Sequence, residues 1–181
     1  MFRQDEREPQ PPIAERILAR AQPSPAYQAA NANALSKPPT CVVVLPPDAP
    51  GDIETAADLL QRFDEALPLK EDIGVKFKIT LDENRPVHAE WELVRAWAYQ
   101  YFCLELSLAA VLILHRPALA GGLRPAHVHI FVPARKLNVN GFGADTGSQL
   151  CFESCSGDLT PLLNGGTLPS PERSIFPKLV C

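Results

Sequence analysis

"RPAHVHIFVPARKLNVNGFG", residues 124–143, holds two histidines two positions apart inside an apolar run. In an extended strand alternate side chains share a face. His127, His129 and Phe131 therefore project to one side, and Val128, Ile130 and Val132 to the other. The branched residues make the better core face, which leaves two imidazoles on the opposite one. One strand can offer both to a single ion. Neutral imidazole suits Zn, Mn, Fe, Co or Ni, and an open coordination position would make such a site catalytic. Histidines at this spacing also occur in ordinary structural strands, so the neighbouring segments carry the decision.

Upstream, "LSLAAVLILH" (106–115) is a continuous apolar run rich in Val, Ile and Leu, and it ends on His115. Joined through the loop "RPALAGGLRP" (116–125), the two segments make an antiparallel hairpin. His115 then lies beside the start of the second strand, and three imidazoles can converge. This strengthens the metal reading while a structural role stays open. Further back, a helix is expected over 87–103, where Trp91, Val94, Ala98 and Tyr101 or Phe102 share a face. His88, in the turn before it, reads as exposed or as a neighbour of the cap. "GVKFKITL" (74–81) alternates Val75, Phe77, Ile79 and Leu81 with lysines and Thr80, the pattern of a half-buried strand. A helix over 53–66, capped by Asp52, carries the stripe Ala56, Leu59, Leu60 and Phe63. The order helix, strand, helix, strand, strand predicts an α+β fold, an antiparallel sheet with helices packed on one face.

The ends read differently. Residues 1–50 are broken by "REPQPP", "QPSPAY", "SKPPT" and "VLPPDAP", and only a short helix at about 12–22 (Ile13, Ile17, Leu18) suggests itself. "MFRQDEREPQPPI" has no strand pattern. Residues 144–181 are rich in Gly, Ser and Pro and read as a loop-rich tail. The expected organisation is a Pro-rich, partly irregular segment 1–50, an α+β core 51–143, and the tail 144–181. At 181 residues and 46% hydrophobic content, one domain with a real core is expected. No run of 18 apolar residues and no signal peptide is visible, so no membrane partner is expected. Cys151 and Cys155 could make half a metal site, but no second Cys or His pair follows them. The five cysteines form no tight framework, which suits reduced thiols and a cytoplasmic protein.

Charge adds a hint about the ligand. The formal net charge is −4, which excludes a globally basic nucleic-acid binder. Yet between Leu106 and Ala144 there is no acidic residue, while Arg116, Arg124, Arg135 and Lys136 are present. The histidine region is locally cationic, which fits an anionic substrate such as a phosphodiester, or an ordinary solvated surface.

Taken together, His115, "ALAGGLRP", His127 and His129, "IFV", Arg135 and Gly141-Phe142-Gly143 resemble the MobA/MobL group of plasmid mobilization relaxases, nucleases of the His-hydrophobe-His class. "ELVRAWAYQYF" (92–102), "GVKFKITL" and "TAADLLQRFDEA" (55–66) extend the resemblance backward, so that it covers about 52–143. The resemblance implies a sheet whose central strand is the N-terminal one. It implies a divalent ion, Mg or Mn, on His115, His127 and His129, and single-stranded DNA at a plasmid transfer origin as substrate, with Arg124, Arg135 and Lys136 on its phosphates. Other mobilization proteins are implied partners. It also implies a tyrosine nucleophile near the N-terminus, for which Tyr27 in "SPAYQAANANAL" is the candidate and Tyr99 and Tyr101 are fallbacks. A truncated or inactive relative that binds DNA or metal is the alternative. "RPAHVHIFV" is also similar to the intradiol dioxygenases, whose ferric iron takes two histidines and two tyrosines; here Tyr99 or Tyr101 would supply one, and the short distance to His127 leaves little room for the other. The histidine triad proteins need a third alternating histidine where this chain has Phe131.

Overall fold

The computed structural model describes residues 2–3, 11–22, 40–67, 72–120 and 122–145. Its centre is the predicted hairpin. Strand β4 (Ala110–His115) pairs antiparallel with β5 (His127–Pro133), with His115 opposite His127 and Ile113 opposite His129. On the other side of β5 lies β3 (Asp72–Thr80), whose register sets Lys78 opposite His129 and Thr80 opposite His127. Two edge strands complete an all-antiparallel sheet. One is β1 (Phe2–Arg3), beside β3; the other is β2 (Thr40–Val44), beside β4. The order is β1-β3-β5-β4-β2. A separate hairpin of β6 (Arg135–Asn138) and β7 (Gly141–Asp145) follows β5.

Among the described residues three α-helices flank the sheet: α1 (Ile13–Ala21), α2 (Ala56–Ala66) and α3 (Val87–Ala98). The α+β class is as expected. Expected on one face, however, the helices cover both. On one side Trp91, Val94 and Ala98 of α3, with Phe102 from the wider π-type turns over Tyr99–Glu105, pack on Phe77, Ile79, Leu112, Val128 and Ile130. On the other, Ile13 and Ile17 of α1 and Leu59, Leu60 and Phe63 of α2 pack on Val111, Ile113 and Phe131. The cause is written in β4. Ala110 to Leu114 are all buried, without alternation, so both faces of that strand need cover.

Local chemistry explains the helix ends. Thr55 caps α2 in a capping box: its hydroxyl accepts from the Asp58 N–H at 3.2 Å, and Asp58 Oδ2 accepts from the Thr55 N–H at 2.7 Å. Asp52, the expected cap, instead pairs with Arg62. Helix α1 has Pro12 at its cap position and no cap of its own. Asp64 of α2 replaces it, accepting from the Ile13 and Ala14 N–H groups at 2.9 Å each. That bidentate contact ties α1 to α2 and so to the sheet.

Strand β2 lies within the segment read as Pro-rich and irregular. "TCVVV" is five residues between prolines, too short for its period to declare itself. The resemblance implied a central N-terminal strand; here the central strand is β5, and β1 is a two-residue edge strand. Residues 146–181, read as a loop-rich tail, lie outside the described residues. Among the described residues no helix is long and apolar enough to cross a membrane.

Candidate functional site

Strand alternation sends His115, His127 and His129 to the face that carries Ile113 and Phe131. Phe131 is buried under Phe63 of α2, their ring centroids 6.4 Å apart. The three imidazoles, one strand end further along, stay partly exposed. Their ring centroids lie 5.2 Å (His115–His127), 5.0 Å (His115–His129) and 5.1 Å (His127–His129) apart. His115 and His127 stack, and His129 stands edge-on to both.

The hydrogen bonds define what the rings offer. His127 Nδ1 lies 3.1 Å from the Pro125 carbonyl. A carbonyl only accepts, so Nδ1 carries the proton and Nε2 is left as a lone-pair donor. Such an outer contact is the usual orienting partner of a metal-ligating histidine. His115 Nε2 and His129 Nδ1 are buried and have no hydrogen-bond partner among the described residues. Buried polar nitrogens without partners are uncommon, and each calls for a reason.

Burial and neighbouring charges lower the proton affinity of all three rings, which favours the neutral form. Burial lowers the proton affinity of His115, and the charges of His127, Arg20 and Lys78 add to the effect. Burial likewise lowers that of His127, opposed by its bond to Pro125 and reinforced by Lys78 and Arg124. His129 is pushed down to about 3, first by burial, then by His115, His127, Lys76 and Arg20. Neutral imidazole is the ligating form. Among the described residues no carboxylate pairs with any of the three rings.

The donor type and the orphaned nitrogens fit a divalent ion. The pose does not complete a ligand set: among the described residues no group of three or more His, Cys, Asp or Glu is arranged to hold an ion. Bringing three nitrogens to one centre requires rotation about the histidine χ2 torsions, which are broad and roughly two-fold.

The other expected site residues fall in three places. Arg124 is exposed, three residues before His127, and acts on it electrostatically. Arg135 and Lys136 sit on β6, in the separate hairpin beyond the far end of β5, at most roughly 20 Å from His129 at the rise of an extended chain. Arg135 donates there to the Gly143 carbonyl at 3.1 Å. Tyr27 lies outside the described residues. Tyr99 and Tyr101 follow α3 on the opposite face of the sheet, where Tyr101 stacks on Trp97 at 5.8 Å. Neither can share a centre with His127 and His129, which removes the tyrosine ligands of the dioxygenase-like reading.

Sequence reasoning missed three cations on the histidine face: Arg20, Lys76 and Lys78. Lys76 is held below the usual range for a lysine by burial, then by the charges of Arg20 and Lys78. The alternation in "VKFKIT" placed both lysines on one face. That this is the histidine face depends on the β3–β5 register, which the sequence does not display.

Comparison with known proteins adds little to this geometry. No protein-family model and no curated protein matches the chain. One similar solved structure is that described as "Molecular Basis of Vancomycin Resistance Transfer in Staphylococcus aureus". It has a TM-score of 0.48 and 17% sequence identity over 58% of this chain and 52% of that one. The chain thus matches about half the length of that protein.

Proposed function

We propose that the histidine face is the metal site of a relaxase-type protein, acting on single-stranded DNA at a plasmid transfer origin. The observation that carries this reading is the clustering of three imidazoles of lowered proton affinity, two with orphaned buried nitrogens, beside cations among the described residues. His115, His127 and His129 would hold Mg or Mn. The ion would supply charge stabilisation at a phosphoryl oxygen.

The chain's own residues supply the rest. Three neutral ligands leave both charges of a divalent ion uncompensated, and Arg20, Lys76, Lys78 and Arg124 add more positive charge. An anionic ligand restores balance, and a phosphodiester is one. The Pro125 carbonyl fixes the tautomer of His127, so that ring needs no rearrangement of its proton when a ligand arrives. Tyr27 is the proposed nucleophile. Its hydroxyl oxygen forms the new bond to phosphorus, and the bond from phosphorus to the 3′ oxygen breaks. The proton lost by the phenol ends on the leaving 3′-hydroxyl, and the strand stays attached as a 5′-phosphotyrosine. The reverse step reseals it, because phenolate is a competent leaving group.

A second reading is a relative that binds metal or DNA without nicking. The edge position of β1 in the described sheet, where the resemblance implies a central strand, favours it. Incubation with Mn2+ and single-stranded transfer-origin oligonucleotides separates the two. A covalent protein–DNA adduct, lost in Tyr27→Phe, supports the nickase. Binding without any adduct supports the second reading.

A further inference from the structure

The register of β3 against β5 has a consequence for ligand binding. Lys78 is the direct cross-strand neighbour of His129, and Lys76 is that of Phe131. On a pleated sheet, direct neighbours on one face stand about 5 Å apart. Both lysines therefore rise from the face that carries the imidazoles. Helix α1 crosses the same face. Ile13 and Ile17 are its buried stripe, packed as far as Ala21, and Arg20, three residues after Ile17, flanks it. Arg20 and Lys78 act electrostatically on Lys76, and Arg20 also acts on His115 and His129. Three cations from two separate elements thus meet beside the histidines. Lys76 and Lys78 are partly buried and Arg20 is exposed. Asp64 strengthens the arrangement by fastening the far end of α1.

Resting on the reading of the histidine face given above, we infer that Arg20, Lys76 and Lys78 form a cradle for successive backbone phosphates of a single DNA strand. The cradle lies on the β3 side of the histidines. The strand therefore runs from the histidines across β3 toward α1, from the level of His129 to that of Phe131.

The test is fluorescence anisotropy of the full chain with a labelled single-stranded DNA oligonucleotide, in EDTA, across a salt series. Each phosphate contact contributes about 0.7 to the slope of log K against log salt for a single strand. The variant Arg20→Gln/Lys76→Gln/Lys78→Gln is expected to flatten the slope by about two and to weaken binding at least about tenfold at low salt. The variant Arg20→Lys/Lys76→Arg/Lys78→Arg should restore both, which a merely structural role would not. Circular dichroism of each variant checks that it folds. An unchanged slope in the glutamine variant overturns the cradle. So does displacement of the strand by inorganic phosphate at an equal concentration of phosphate groups, since the site would then hold a free anion. Mn2+ uptake is measured separately. A chain that takes up no Mn2+ but shows the cation-dependent slope keeps the cradle and loses the metal reading. One that takes up Mn2+ with a slope indifferent to the cations does the reverse.

Discussion

Two backbone positions and three rings carry the most specific commitments at the scale of single residues. Gly74 has φ +152°, and a Cβ there would lie 2.5 Å from the Val132 carbonyl oxygen and 2.9 Å from the Phe131 ring. Its missing side chain is what lets Phe131 lie over β3. Gly74→Ala should cost about 1–3 kcal/mol in urea unfolding. Ser107, where the helical turns end and the chain reverses into β4, has φ 58°, a region that favours glycine. Ser107→Gly is therefore expected to stabilise the protein, by up to about 1 kcal/mol in the same assay. The histidines make a pH prediction for the metal-free protein. Their proton affinities are lowered in the fold, that of His129 to about 3, while an unfolded chain titrates near 6.5. Between those values the unfolded chain holds more protons, so stability rises with pH. The contribution is complete above about pH 6.5 and is lost as pH falls toward about 3. Urea midpoints should decline across that window, and less steeply in His129→Gln.

Among the elements, α1 depends on a contact made by another helix. Asp64 supplies the cap that Pro12 cannot. Asp64→Ala should cost about 1–2 kcal/mol. It should also raise amide exchange over residues 13–21 while leaving β4 and β5 protected. If the exchange rise spread evenly through the sheet, α1 would be part of the global unfolding unit instead. Elements differed in how legible they were. The hairpin could be read because β4 is a long branched apolar run and β5 alternates. Helix α2 showed its stripe, yet its cap moved three residues, since Asp52 and Thr55 are both acceptable caps and only the fold selects between them. The cover on both faces was present as a signal in the unbroken run Ala110–Leu114 but was read only as a central strand. The Asp64 contact spans fifty residues of chain and leaves no local trace.

For the molecule as a whole, the sheet is an instrument for bringing distant residues to one face. His115 and the His127–His129 pair were legible as a cluster because one short loop joins their strands. Arg20, Lys76 and Lys78 were not, because they reach the site through a register and a helix packing that no motif encodes. Arg135 and Lys136, close in sequence to the histidine pair, lie on the separate β6–β7 hairpin. The central claim is that three imidazoles from two strands bind one divalent ion. The direct measurement is titration of the metal-free protein with Mn2+, following the electron paramagnetic resonance of the free ion. The account predicts uptake of one ion per chain, and uptake weakened at least about tenfold in each of His115→Ala, His127→Ala and His129→Ala, since a three-ligand site loses a ligand in each. Uptake that survives unchanged in any of the three, or no uptake by the unaltered chain, would contradict it.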